Sequence, residues 1–284
     1  MSKPLRNEYF GPYKIIRSLG SAHGASRFVV LCNRTDTNYL LYRFEKNTNI
    51  KTKRTLFNAL VKMSTLDHPH LLQIHSVSYD DHGNLCVITP YTGNHEGLVT
   101  IDDLLDIRDG KISVPEAVRA IQYLLDAIAS AHQTKIFNGS INPQDILVNR
   151  HGSLQIQFYG FNTLTRPAPN PIAQSILIAD EIRSIAELGY TMMTGLSTRG
   201  DRIAPSRVIK KMDKNWDTWF ELGLDPIDGF ESIKHAINAL PSNPECAEWL
   251  TTKSTRLPQV HIGSMLRRFR STPASPAKPQ RDRD

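Results

Sequence analysis

The sequence predicts an α+β protein: a small antiparallel sheet carrying one helix, followed by a mainly helical part. Three observations predict it. Residues 10 to 92 read as short strands and polar turns around a single helical stretch. Ser113-Val114-Pro115-Glu116 then opens a long helix with the pattern of a capping box and proline in the first turn. Within that helix Val114, Val118, Ile121, Leu125, Ile128 and His132 recur at steps of four and three, a core-facing stripe. Finally, Ala131 to Gly160 reads as the helix end, a tight polar loop and two short strands. The strands are Ile146-Leu147-Val148 and a return on which Leu154, Ile156 and Phe158 alternate with Gln155 and Gln157, the period of a half-buried strand.

The remaining elements follow in order. Tyr13 to Leu19 is a strand leading into Gly20-Ser21-Ala22-His23-Gly24-Ala25. Arg27 to Cys32 and Tyr39 to Phe44 are strands separated by the turn Asn33 to Asn38. A helix is expected over about Thr52 to Leu66 and an apolar strand over Leu85 to Ile88. Thr100 to Leu105 is a short helix. Phe161 to Ala179 is a short apolar segment with Pro167, Pro169 and Pro171, and a helix runs from Glu181 toward Gly195. Phe230, Ile233, Ile237 and Leu240 mark a last amphipathic helix.

With 284 residues, 40% of them hydrophobic, the chain can bury one large core or two lobes sharing a cleft. It has no run of eighteen apolar residues, and its first ten residues lack the charged-then-apolar pattern of a signal peptide. Cys32, Cys86 and Cys246 are few, odd in number and far apart, which suggests reduced thiols in a cytoplasmic protein. His68-Pro69-His70 is too tight for two imidazoles to share a metal easily. The net charge of +6 sits in the tail, where residues 253–284 carry eight positive and two negative side chains. A folded nucleic-acid-binding face is therefore not expected. Residues 243–284 are basic and rich in Pro and Ser, the composition of a disordered tail. Ile262, Met265, Leu266 and Phe269 share a helical face beside Arg267, Arg268 and Arg270, which suits contact with an acidic surface or a partner's groove.

Several of these stretches together resemble the protein kinase superfamily, over residues 10–242. Asn138-Gly139-Ser140 stands where the family has His-Arg-Asp, Asn142-Pro143-Gln144-Asp145 where it has Lys-Pro-x-Asn, and Phe158-Tyr159-Gly160 where it has Asp-Phe-Gly. Gly20 and Gly24 fall on its glycine-rich loop, with Ala22 replacing a glycine. Leu40-Leu41-Tyr42-Arg43 falls on V-A-I-K, which puts Arg43 at the lysine and Leu41 at the alanine above adenine. Ala59 falls where that lysine's Glu partner belongs, and Thr89 to Gly93, including Thr92, on the hinge. Glu181 to Ala186 resembles D-x-x-S-x-G, with Glu181 at the Asp that ties down the catalytic loop. Leu222 to Gly229 resembles L-x-x-D-P-x-x-R, with Gly229 at the arginine.

The resemblance implies a bilobal fold: a sheet-rich lobe over residues 10–89, a hinge at 90–93 and a helical lobe over 94–242, with residues 1–9 as an extension. It also implies a cleft stripped of its chemistry. In the family the loop Asp serves the substrate hydroxyl and the Asp of Asp-Phe-Gly holds Mg²⁺. Ser140 is a poor base, and Phe158 has no oxygen for a cation that wants hard ligands. From Ile146 through Ala179 there is no Asp or Glu, which leaves Asp145 as the one nearby carboxylate. The expectation is a pseudokinase that scaffolds or regulates a protein partner, with no catalytic residue, metal site or cofactor. Gly20, Gly24, Arg43 and Thr92 would then line a vestigial nucleotide cleft. The alternative is a divergent transferase using ATP and Mg²⁺ through Lys46 or Arg43 and Asp145. A third reading is weak nucleotide binding without turnover.

Overall fold

The computed structural model describes residues 8–45, 49–95 and 97–241. Lys46, Cys246 and the tail at 243–284 lie outside the described residues, as do residues 1–7 of the expected extension. A six-stranded antiparallel sheet builds the first lobe. Its strands are β1 (Tyr9–Phe10), β2 (Tyr13–Ala22), β3 (Ala25–Cys32), β4 (Thr37–Phe44), β5 (Ser76–Tyr79) and β6 (Leu85–Pro90), in the order β1-β2-β3-β4-β6-β5. One helix, α1 (Ile50–Met63), packs on it. It starts two residues before the expected Thr52 because the Asn49 side chain accepts from the backbone N–H groups of Lys51 and Thr52.

Strand alternation divides the apolar residues of this lobe between two faces. Ile15, Val30, Leu41, Cys86 and Ile88 cluster on one side. Leu40, Tyr42, Phe44, Leu60, Met63, Leu85 and Val87 cluster on the other, and Phe158 of the second lobe joins them. The first lobe's core is thus completed by a ring from its neighbour.

The second lobe holds α2 (Ile101–Ile107), α3 (Val114–Gln133), a 3₁₀ turn (Pro143–Asp145), the hairpin β7 (Ile146–Val148) and β8 (Leu154–Ile156), and five further helices. These are α4 (Phe161–Leu164), α5 (Pro171–Thr194), α6 (Pro205–Val208), α7 (Asn215–Leu224) and α8 (Ile233–Asn238). The capping box at α3 forms as expected, with Ser113 and Glu116 bonded reciprocally. Of the expected stripe, Val118, Ile121, Leu125 and Ile128 are fully buried, as is Leu124 beside them, while Val114 and His132 at its ends are half-buried. Helix α5 differs from expectation: it begins at Pro171, ten residues before Glu181. Asn170 caps it by accepting from the Ala173 N–H at 2.8 Å, and proline in the first turn needs no donor there. The proline-rich stretch is therefore largely a helix start, and little of it is free loop.

Close helix approach depends on small residues. A Cβ on Gly189 of α5 would sit 2.6 Å from Ile121 of α3, and one on Gly223 of α7 would sit 2.8 Å from the Ala186 Cβ. Ala186 thus stands where a glycine was expected because Gly223 opposite it supplies the missing space.

Candidate functional site

The loop from Ile136 to Asn142 joins α3 to the 3₁₀ turn, and one buried residue of α5 fixes its backbone. Glu181, with no exposed surface, accepts from the N–H groups of Asn138 and Gly139 and from the Tyr159 hydroxyl, the last at 2.6 Å. His132 Nε2 of α3 lies 2.7 Å from its other oxygen. Burial, and then the Glu181 carboxylate, push the Tyr159 phenol well above its usual range. One turn on, Ser184 Oγ accepts from the Ile141 N–H at 3.1 Å. Asn138 Oδ1 accepts from the Gly160 N–H at 2.8 Å, tying the loop to the end of the hairpin. Gly160 has φ +82°, and a Cβ there would run into the Ile136 side chain, so glycine is required twice over. Ser140 projects from this frame into solvent.

Beside this polar frame the hairpin delivers an apolar ring upward. Phe158, 5% exposed, sits with its centroid 4.5 Å from that of Tyr42 and near those of Phe44, Phe161 and His23. Its backbone has φ +45°, rare for a residue of this size and tolerated where surrounding packing fixes it. Gln157 departs from the simple alternation: it is 3% exposed, and its Oε1 accepts from the Tyr42 hydroxyl at 2.8 Å. Burial pushes the Tyr42 phenol far up.

Two expected residues change places here. Tyr42, on the same face of β4 as Leu40 and Phe44, points at the second lobe. Arg43 points the opposite way, where it pairs with Glu8 at 2.6 Å and Asp80 at 3.4 Å and lies over the Phe28 ring. Arg43 is therefore no cleft residue, and Leu40, not Leu41, lies on the cleft side. Successive side chains on a strand point to opposite faces, so a reading displaced by one residue selects the wrong face. No residue of α1 is acidic, so that helix offers Tyr42 no carboxylate.

Between the lobes lies a cleft of about 800 Å³. Arg17, Ser18, Leu19, Ser21, Ala22, His23 and Arg27 line it above, and Asp102, Asp103, Gln144, Asp145 and Gln157 below. Strands β2 and β3 stay paired to Ala22 and Ala25, joined by His23-Gly24. Both turn residues have positive φ, +54° and +72°, as a type I′ hairpin requires. This turn aims His23 downward, with Nε2 3.6 Å from the Asp145 carboxylate. Burial lowers the His23 pKa, opposed by Asp145. Burial likewise raises that of Asp145, opposed by His23. Gly20 (φ +77°) lies at a β2 register shift, and a Cβ on it or on Gly24 would meet nothing within 4 Å. Both glycines supply the positive φ of their turns, and neither packs closely on other protein atoms. Of the expected site residues, Asp145 alone lines the cleft; Gly20, Gly24, Arg43 and Thr92 do not.

The fold with this geometry has solved counterparts. The kinase domain of Mycobacterium tuberculosis PknI superposes with a TM-score of 0.62 at 16% identity, over 84% of this chain and 98% of that one. CBL-interacting protein kinase 21 of Oryza sativa subsp. japonica is 23% identical over 243 residues, 76% of this chain and 45% of that protein. Serine/threonine-protein kinase PrkC of Bacillus subtilis (strain 168) is 22% identical over 267 residues, 88% of this chain and 38% of that protein. The chain has the protein kinase fold, and the relatives it resembles in sequence are protein kinases. No family model matches it. The chain spans about half the length of the curated relatives it matches, or less.

Among the described residues no three His, Cys, Asp or Glu side chains gather into one group, and Asp102, Asp103 and Asp145 are the carboxylates that line the cleft. Phe158 brings carbon where hard oxygen is wanted. The residues that sequence reasoning missed are His23 and Arg27, which line the cleft, and Tyr42, which is fully buried and bonds to Gln157 of the second lobe. Tyr42 carried a signal: Leu40, Tyr42 and Phe44 recur at period two, the mark of one apolar face. Arg27 pairs with Tyr42 across β3 and β4 and so shares that face, which no local pattern shows.

Proposed function

We propose that this chain is a pseudokinase, a kinase-fold module that binds or scaffolds a protein partner without transferring phosphoryl groups. The burial of Phe158 in the core of the first lobe carries this reading. A ring holds the two lobes together at the position where the family resemblance puts a metal-binding Asp. Tyr42, bonded to Gln157, and the acid-free α1 support it further, since no cation–carboxylate pair from β4 and α1 is available to phosphates. Phosphoryl transfer relies on metal ions and positive charge placed around the moving group, and Phe158 offers no oxygen to hold such an ion where the resemblance puts its ligand. On this reading the protein works without ATP or Mg²⁺. A cytoplasmic setting is supported by the buried free thiols Cys32 and Cys86 and by the absence, among the described residues, of any helix long and apolar enough to cross a membrane.

Asp145, facing the cleft, favours one second reading: a divergent transferase of the serine/threonine kinase type, as the names of the relatives suggest. A thermal-shift titration with ATP and Mg²⁺, joined to a radiolabel-transfer assay, separates the two. No shift at millimolar nucleotide and no transfer are expected. Magnesium-dependent stabilisation with transfer that Asp145→Ala abolishes would overturn the pseudokinase reading, and metal-independent stabilisation would mark nucleotide binding without turnover.

A further inference from the structure

A groove of about 340 Å³ runs along α2. One wall is Gly97 to Val99; the other is the side of α2 that carries Asp103, Asp106 and Ile107, at the three-to-four-residue spacing of one helix face. The first wall is held by its own hydrogen bonds. The Tyr91 hydroxyl donates to the Asn94 carbonyl at 2.6 Å, and the Gly97 N–H donates to Asn94 Oδ1 at 3.0 Å. Leu98, Val99 and Ile107 are half-buried and make the lining mainly apolar, while Asp103 and Asp106 stand exposed. Asp103 caps α2 through Thr100, and the Asp106 carboxylate has no hydrogen-bond or ion-pair partner among the described residues. No Lys or Arg among the described residues lines the groove.

An apolar groove with an acidic rim suits one segment of this same chain. Ile262, Met265, Leu266 and Phe269 recur at helical spacing beside Arg267, Arg268 and Arg270, outside the described residues. We infer that residues 262–270 dock in the α2 groove as a helix, with their apolar side chains on Leu98, Val99 and Ile107 and their arginines at Asp103 and Asp106. The chain is long enough. Helix α8 packs on α3, and Arg108 at the end of α2 pairs with Glu116 in the first turn of α3 at 3.1 Å. Helix α3 is about 30 Å long, whereas residues 242–261 can reach about 65 Å when extended. Tethering also holds the segment at an effective concentration on the order of 1 mM, so modest contacts suffice to fill the groove. Charge favours the tail over an anionic occupant. Residues 253–284 carry eight positive and two negative side chains, whereas a phosphate or an acidic lipid would meet two carboxylates. Docking would cover this face of α2, so any partner of that face must first displace the tail.

Hydrogen-exchange mass spectrometry of the 284-residue chain tests the inference. Exchange over residues 98–110 and 262–270 is expected to be at least about tenfold slower in the parent than in a Leu266→Asp, Phe269→Asp double variant. Asp106→Lys should release both segments without lowering the melting temperature, because Asp106 is exposed and a cation suits the last turn of a helix. Adding Arg267→Glu and Arg268→Glu to Asp106→Lys should restore about tenfold protection, since the charges again match. Equal exchange in the parent and the Leu266→Asp, Phe269→Asp variant would overturn the inference, and so would failure of the charge reversal to restore protection. Protection lost on diluting the protein would place the segment on a second copy instead. Protection of 262–270 seen only with phosphatidylserine vesicles would place it on a membrane, and either result also overturns docking within the chain. The pseudokinase reading would survive all four results, since it fails only on label transfer.

Discussion

Two neighbouring regions of the second lobe met different fates. Around Glu181 the loop frame is intact: two backbone N–H groups, a tyrosine hydroxyl and a histidine converge on one buried carboxylate. Around Phe158 the polar groups that the family resemblance calls for are replaced by packed rings. The difference lies in what each polar group serves. A buried backbone N–H costs free energy whenever it lacks an acceptor, so Glu181 is needed whether or not the protein does chemistry. A carboxylate that only holds a metal has no such partner within the chain. An aromatic ring in its place adds core instead of subtracting it.

The comparison can be broken at several points. The largest effect is expected from Phe158→Asp, which removes the ring and sets a charge among Tyr42, Phe44 and Phe161. Chemical denaturation should show a loss beyond about 5 kcal/mol, against about 3–5 kcal/mol for Phe158→Ala. If Phe158→Asp instead left the fold stable and gained magnesium-dependent stabilisation by ATP, the cleft would be only one substitution from function.

Glu181→Ala should cost about 3–5 kcal/mol in the same assay, because the donors around it stay buried. A cost below about 1 kcal/mol would mean that the loop frame is held elsewhere. Tyr42→Phe should cost about 1–3 kcal/mol, since Gln157 Oε1 loses its donor in a buried site. An unchanged midpoint would show that the bond between the lobes contributes nothing.

The smallest effect concerns His70, stacked on Tyr123 with its Nδ1–H donating to the Leu154 carbonyl at 2.9 Å. Burial lowers its pKa, so the unfolded chain takes up the proton first on acidification. Its contribution to stability should be complete above about pH 6.5 and lost as pH falls through the depressed folded-state value. His23, lowered in the same way, adds to the loss; Asp145, raised, opposes it at lower pH. Stability measured between pH 7 and 5 should therefore fall less steeply in His70→Asn than in the parent chain.

Much of this was legible before folding was considered. The capping box at Ser113 and the stripe along α3 are local patterns, and helix formation is governed by neighbours three and four residues apart. The want of acidic residues from Ile146 to Ala179 is likewise a property of the chain, and no fold can supply a carboxylate that the sequence omits. Local signals also failed in instructive ways. The segment with Pro167, Pro169 and Pro171 read as lying ahead of the helix at Glu181, yet Asn170 caps α5 so that Pro171 starts it. Gln157 read as solvent-facing, yet the donor for its Oε1 was waiting 115 positions earlier in the Tyr42 hydroxyl.

The sequence by itself determined the order of elements, the helical stripes and the shortage of oxygen donors near Phe158, because each is written in composition or short-range spacing. Only the tertiary structure decided that Arg27 lines the cleft and Tyr42 bonds to Gln157 of the second lobe while Arg43 turns to Glu8 and Asp80. A strand offers two faces of equal backbone geometry, and which one becomes the inside is settled by what the rest of the chain packs against it.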